Sequence, residues 1–207
     1  MDIFRRYKAV IENTDNPVVL ELGAAEGEDT VRYVGALIDL KRPFRYIAFE
    51  PDERNLWHID RMPLRNHFEV FPSAVGDRTG LVPWRSSNHP YSGSVKEPKE
   101  HLTLYPGITF SDPQSVGMIR LDDVGLTKVD WIWCDVQGAE DLVIAGGQET
   151  LAKTRFFYTE YIECEAYEGL IGRDEIHRRL PGQWKIAEDY RQWEKGGDCL
   201  FERLTSP

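Results

Sequence analysis

Three apolar runs in this chain stop abruptly at a glycine or an acid: PVVLEL at Gly23, FRYIAF at Glu50 and VDWIWC at Asp135. Each is too short for a buried helix, and each predicts a strand covered on both faces. Amphipathic segments lie between them. Asp29 to Leu40 sets Val31, Val34, Leu37 and Ile38 on one helical face, and Asp52 to Met62 turns Leu56 and Ile59 inward. Strands separated by helices imply right-handed crossovers and a mostly parallel sheet with helices on both faces. Ligands of such sheets bind beyond the carboxyl ends of the strands. Asp135 ends the most apolar of the three runs, so its carboxylate is expected in that crevice.

The rest of the chain extends the pattern. His67 to Val75 predicts a third strand, and Leu81 to Trp84 a hairpin strand after the turn signal Gly76–Gly80. From Arg85 to Val116 the chain is rich in Ser, Pro, Gly and His. A loop of that length in a compact domain is expected to be a lid or substrate loop. Order returns at Gly117–Leu121 and Val129–Asp135, followed by a helix over Gly138–Ala145 that Gly146-Gly147 ends. Arg155–Ile162 reads as a strand and Asp174–Leu180 as a helix. Trp184–Tyr190 and Asp198–Leu204 are joined by a link too short for a parallel crossover, which predicts an antiparallel hairpin at one edge. The expectation is one α/β domain over residues 1–207, with residues 1–16 as an N-terminal extension.

Composition excludes some partners. The formal net charge is −10 and no basic stripe is visible. Nucleic-acid binders need a positive footprint, so no nucleic acid is expected as partner. No apolar run reaches the roughly 18–20 residues of a membrane span, and residues 1–6 have no signal-peptide core. Cys134, Cys164 and Cys199 have no metal-ligand spacing and predict reduced thiols in a cytoplasmic protein. Oligomeric state is not legible.

The strand ends carry the chemistry. In LELGAAEGEDT, Gly23 and Gly27 allow a tight turn and close approach to a ligand. Position 25 is Ala, so the dinucleotide fingerprint G-x-G-x-x-G is not met, and Glu26 and Glu28 disfavour a pyrophosphate. Carboxylates at a helix entrance suit an amine or a sulfonium. In IAFEPD, Glu50 stands where an acid accepts both hydroxyls of a ribose. In FPSAVGD, Ser73 and Ala74 leave room for an adenine ring.

These segments, with IRLDDV, VDWIWCDVQGAEDLVIAGGQETL and FFYTEY, resemble in order and spacing the FkbM-type S-adenosylmethionine-dependent methyltransferases. The resemblance runs from about Pro17 to the end of the chain. RLDD followed by DVQGAE is its most specific part. Ala25 departs from the Asn common in the family. The resemblance implies a Rossmann-like class I methyltransferase fold with a seven-stranded, mostly parallel sheet and an antiparallel C-terminal hairpin. It implies that Gly23, Ala24 and Gly27 line the methionine part of S-adenosylmethionine and that Glu50 holds the ribose. Ser73 and Ala74 would neighbour the adenine, and Asp135 the amino-acid end and the transferred methyl. Glu21, Ala25, Thr30, Pro51 and Gln137 complete the candidate cofactor set.

The implied activity is methyl transfer to an oxygen of a small molecule, sugar or glycan, the oxygen coming from the resemblance alone. Asp135, Glu140 and Glu160 are the candidate catalytic acids. Three converging carboxylates could also take a divalent ion such as Mg²⁺, while Glu140 at a helix start is stabilised by the macrodipole whatever the chemistry. Asp122 and Asp123 could serve only as caps. RSSNHPYSGSV is the expected acceptor segment, with His89, Tyr91, Ser92 and Ser94 as candidates. Two rivals stand beside this reading: a non-catalytic S-adenosylmethionine-binding module, and a nucleotide-dependent oxidoreductase on a similar fold.

Overall fold

A computed structural model describes residues 2–204. Its main sheet has seven strands: β1 (Val18–Leu22), β2 (Arg45–Phe49), β3 (Glu69–Phe71), β7 (Val129–Cys134), β8 (Thr154–Ile162), β9 (Trp184–Trp193) and β10 (Gly196–Arg203). The order is β3-β2-β1-β7-β8-β10-β9. The first five strands pair in parallel, and β10 is antiparallel to both β8 and β9. The edge hairpin turns at Glu194-Lys195, tighter than the four-residue link expected from sequence.

Side-chain alternation builds a core on each face. Leu20, Leu22, Ile132 and Cys134 face one way, toward α5 (Glu140–Gly146), α6 (Gln148–Leu151) and α7 (Arg173–Arg179). Val19 and Trp131 face the other, toward α1 (Ile3–Glu12), α2 (Glu28–Asp39) and α3 (Glu53–Ile59). The helix α1 is integral to that second layer. Asp2 caps it by accepting from Phe4 N, and Tyr7, Val10 and Ile11 are buried. Tyr7 stacks edge-on against Tyr33 and Trp131, with centroids 4.4 and 5.5 Å apart.

Three sequence expectations need correction. Val31 is 39% exposed and does not join the buried face of α2, which is formed by Thr30, Tyr33, Val34 and Leu37. The strand expected over 67–75 is broken: β3 ends at Phe71, Pro72 interrupts the pairing, and β4 (Ala74–Val75) belongs to a second sheet. Proline has no N–H to donate to a ladder, so the chain leaves the main sheet there. The second sheet has the order β4-β6-β5, with β5 (Gly80–Trp84) antiparallel to β6 (Gln114–Ile119). The partner strand thus begins three residues before Gly117.

The segment 85–113 is ordered by contacts. It carries α4 (His101–Leu104) and the isolated bridges Arg85–Ser94, Ser87–Phe110 and Pro98–Tyr167. Its foot docks on the connection after β8, where Lys99 N and His101 N both donate to Ala166 O, and Glu168 N donates to Glu97 O. Among the described residues no helix is long and apolar enough to cross a membrane. All three cysteines are free.

Candidate active site

The sheet order reverses direction between β1 and β7, and the carboxyl ends of these two strands touch. Asp135 N donates to Leu22 O at 2.9 Å. Gly23 has φ +88°, and a Cβ there would lie 1.9 Å from the Asp135 carbonyl oxygen, so no other residue fits. The turn into α2 is left-handed at alternate positions: Gly23, Ala25 with φ +46°, and Gly27 with φ +82°. Gly23 N and Ala24 N both donate to Phe49 O at 3.0 Å, which ties the turn to the end of β2.

Glu50 completes that tie. It is 3% exposed, and its carboxylate accepts from Ala25 N at 2.8 Å, Asp52 N at 2.8 Å and Asn55 Nδ2 at 3.3 Å. Burial pushes its pKa up to about 7, against the lowering effect of these three donors. Beneath the turn, Glu21 accepts from the hydroxyls of Thr30 and Tyr46, and burial pushes its pKa up to about 8. Glu21 and Thr30 brace β1, α2 and β2 and stay off the surface of the cavity above them.

That cavity, with the part open to solvent, takes in about 560 Å³. One wall is apolar, with Phe49, Val75 and Trp84; the other carries Asp135, Val136 and Gln137. The Trp84 indole N–H donates to Ser86 Oγ, which in turn donates to Asp52 Oδ2. The second sheet and the segment after it therefore roof the cavity from the side of β2.

The acids gather at the far end. Gln137, itself left-handed at φ +52°, donates its amide NH₂ to Asp135 Oδ1 at 2.6 Å and to Glu160 Oε2 at 3.3 Å. Glu140 opens α5, is 4% exposed and accepts from Gly138 N at 3.4 Å. Burial raises all three carboxyls. Asp135 is pushed up to about 6 and Glu140 to about 7, each held down in part by hydrogen bonds and raised again by neighbouring acids. Glu160 goes well above the usual range, through burial and then the charges of Asp135 and Glu140. Among the described residues no three His, Cys, Asp or Glu side chains meet in a geometry that could hold a metal ion.

The sequence-derived candidates divide by place. Gly23, Ala25, Glu50, Pro51, Ser73, Ala74, Tyr91, Asp135 and Gln137 line the cavity. Ala24, Gly27, Glu140 and Glu160 adjoin it without lining it. His89 is exposed beside Tyr91, with ring centroids 5.3 Å apart. Ser92 and Ser94 are buried, and Ser94 Oγ donates to Gln137 O at 2.8 Å, so it ties the roof down. Asp122 accepts from Thr150 N at 2.8 Å and Asp123 from Thr79 Oγ1, both structural positions. Sequence reasoning missed Asn55, Trp84 and Gly93. Asn55 faces inward one helical turn after Glu50. Gly93 lacks a side chain because a Cβ would sit 2.4 Å from the Trp84 ring.

A family model and a curated relative point to one family. A model described as the methyltransferase FkbM domain matches residues 21–193. The chain is 39% identical over 219 aligned positions to the 2-O-methyltransferase NoeI of Sinorhizobium fredii, covering 97% of this chain and 85% of that protein. Solved structures share the fold at low identity. An rRNA methylase from Streptococcus thermophilus aligns with a TM-score of 0.54 and 11% identity, covering 99% of this chain and 98% of that one. The N-terminal domain of human METTL16 in complex with SAH aligns with a TM-score of 0.51 and 10% identity, covering 99% of this chain and 69% of that one.

Proposed function

This chain belongs to the FkbM methyltransferase family, and from that premise we propose that it methylates a hydroxyl of a sugar, glycan or other small molecule. S-adenosylmethionine is the methyl donor of this reading, and the cytosol its setting. The observation that carries the proposal is the acidic cavity at the switch point of the sheet. A cation is the ligand that such a place favours, because it would stabilise the ionised form that burial disfavours in these carboxyls.

The residues suit that donor in kind. Gly23 and Ala25 line the cavity at the strand ends, where the methionine part would lie. Glu50 has lone pairs left for a ribose hydroxyl after its three donors are counted. Pro51, Ser73 and Ala74 flank a flat apolar slot closed by Trp84. Asp135 and Gln137 stand at the end where an ammonium and a sulfonium would lie. When bound, S-adenosylmethionine supplies a methyl on positively charged sulfur, which an oxygen nucleophile displaces in line.

The protein's own part is alignment and proton removal. Alignment is worth about 7 kcal/mol or more when reacting atoms are held in near-attack geometry. Asp135 is assigned to orientation, and Glu140 or Glu160 to accepting the hydroxyl proton, since burial raises both above the ordinary carboxylate range and makes them stronger bases. Tyr91 and His89 are assigned to the acceptor mouth. The 2-O-methyltransferase NoeI supports an oxygen as the acceptor atom. The rRNA substrate of the Streptococcus thermophilus neighbour does not transfer, because that likeness has 11% identity and the charge of −10 gives no phosphate footprint.

Calorimetric titration with S-adenosylmethionine and S-adenosylhomocysteine, with NADH as control, tests the cofactor. Micromolar affinity for the first two alone is expected. Binding of NADH instead would sink the assignment. Tight binding with no turnover on any hydroxylated acceptor would favour the non-catalytic module.

A further inference from the structure

One buried hydroxyl reaches the acid cluster from outside it. Tyr167 lies on the connection after β8, with its ring fully buried against His101 at 5.1 Å and Phe110 at 6.3 Å. Gly138 makes room for it: φ is +90° there, and a Cβ would fall 2.9 Å from the Tyr167 side chain. The hydroxyl ends 3.0 Å from Gln137 Oε1 and 3.0 Å from Ser92 O.

A charged carboxylate can only accept. Asp135 in its ionised form therefore takes the NH₂ end of Gln137, and the carbonyl end points away. That carbonyl needs a donor, and among the described residues Tyr167 is its hydrogen-bond partner. The opposite amide orientation would set a carbonyl oxygen against Asp135 at 2.6 Å.

We propose that Tyr167 is a positioning residue: its hydroxyl fixes the amide of Gln137 so that Asp135 stays aimed and charged for the cationic donor, with Glu160 held by the same NH₂. The hydroxyl has one proton, so donating it to Gln137 Oε1 leaves the Ser92 carbonyl, also 3.0 Å away, a neighbour and not an acceptor. The inference rests on the methyltransferase reading given above.

Other charged groups face these acids from every side. They are Asp29 on α2, Glu140 on α5 and Asp198 on β10, with Lys96 of the roof acting on Glu140. All are left in place by Tyr167→Phe, which removes only the hydroxyl. Without the donor, the amide no longer holds its orientation, and both acids lose a hydrogen bond to the charged form.

The test is the pH profile of S-adenosylhomocysteine binding, pH 5.5–8.5, for wild type and Tyr167→Phe. The midpoint of the rise in affinity should move up by about half to one pH unit, the size expected for losing one such bond. For a midpoint near 6 that is roughly a 1.5- to threefold loss at pH 6.5, growing to about three- to eightfold at pH 5.5 and vanishing by pH 8.5. An equal loss at every pH, or none, would overturn the proposal. Carbon-13 NMR titration of the ligand-free carboxyls gives a readout independent of the cofactor: Asp135 and Glu160 should titrate higher in the variant. Unmoved midpoints there sink the inference, whereas wild type failing to bind S-adenosylhomocysteine sinks the methyltransferase reading alone. Should Tyr167→Phe not fold, the wild-type hydroxyl proton decides. Protection from exchange that falls as the acids protonate supports the proposal, and rapid exchange at all pH overturns it.

Discussion

At the scale of single residues, the site holds groups in states they would not choose in water. Ala25 adopts the left-handed region at φ +46°. That costs an L-residue about 1–2 kcal/mol, and glycine escapes it. Ala25→Gly should raise stability by about 0.5–1 kcal/mol, after the extra freedom of glycine in the unfolded chain is set against the relief, and urea unfolding measures it. Glu50→Ala should weaken nucleoside binding by about 1.5–3 kcal/mol, the range for bonds to a charged group. Isothermal titration with adenosine and with S-adenosylhomocysteine reads this directly, and unchanged affinity would leave Glu50 as only a brace for the Ala25 turn. Asp135 ends its strand for the reason its position suggested: its backbone N–H bonds β1 and its side chain lines the cavity. Asp135→Ala should lower cofactor affinity or turnover with the far-UV spectrum unchanged.

At the scale of elements, legibility followed the source of order. The parallel strands were readable because burial on both faces leaves a local mark, a continuous apolar run. The edge hairpin was readable from the shortness of its link. The helix α1 had a local mark as well, with Ile3, Tyr7, Val10 and Ile11 at helical spacing behind the cap Asp2, and the reading passed over it. Tyr7→Ala should cost about 3–5 kcal/mol, as for other buried aromatics, which would show that residues 3–12 belong to the core. The roof 85–113 left no such mark. Its order comes from distant partners, such as Ser94 with Gln137 and Lys99 with Ala166, separated by 43 residues in the first case. Trp84 and Asn55 escaped notice likewise, because cavity-lining duty has no period. The acids were conspicuous in the sequence because Asp135 follows a strand, Glu140 opens a helix and Glu160 lies near the end of another strand, each beside an apolar run.

Across the whole molecule, burial of acids sets the response to pH. Glu21, Glu50, Asp135 and Glu140 all have folded pKa values raised above their ordinary ones, to about 8, 7, 6 and 7. In the window between the ordinary and the raised values the folded chain holds protons that the unfolded chain has released. Stability therefore falls with rising pH there, being fullest near pH 4–5 from these groups and lost progressively through pH 6–8. The melting temperature should drop by on the order of 5 °C between pH 5.5 and 8. A bound cation should oppose the drop, since it favours the ionised acids and stabilises by mass action. Differential scanning fluorimetry with and without S-adenosylhomocysteine and S-adenosylmethionine compares the neutral and cationic ligands. The cationic one should flatten the slope more.

The pairing of Trp84 with Gln114 at the base of the roof has a consequence for how such a protein can change. The segment leaves and re-enters the body at two residues that face each other across a ladder. Its ends are thus held in fixed register however its interior is rewritten. Residues 85–113 form a cassette bounded by two paired strands, and any replacement stretch must keep the inward contacts of this one, such as Ser94 with Gln137 and Pro90 with Asn55.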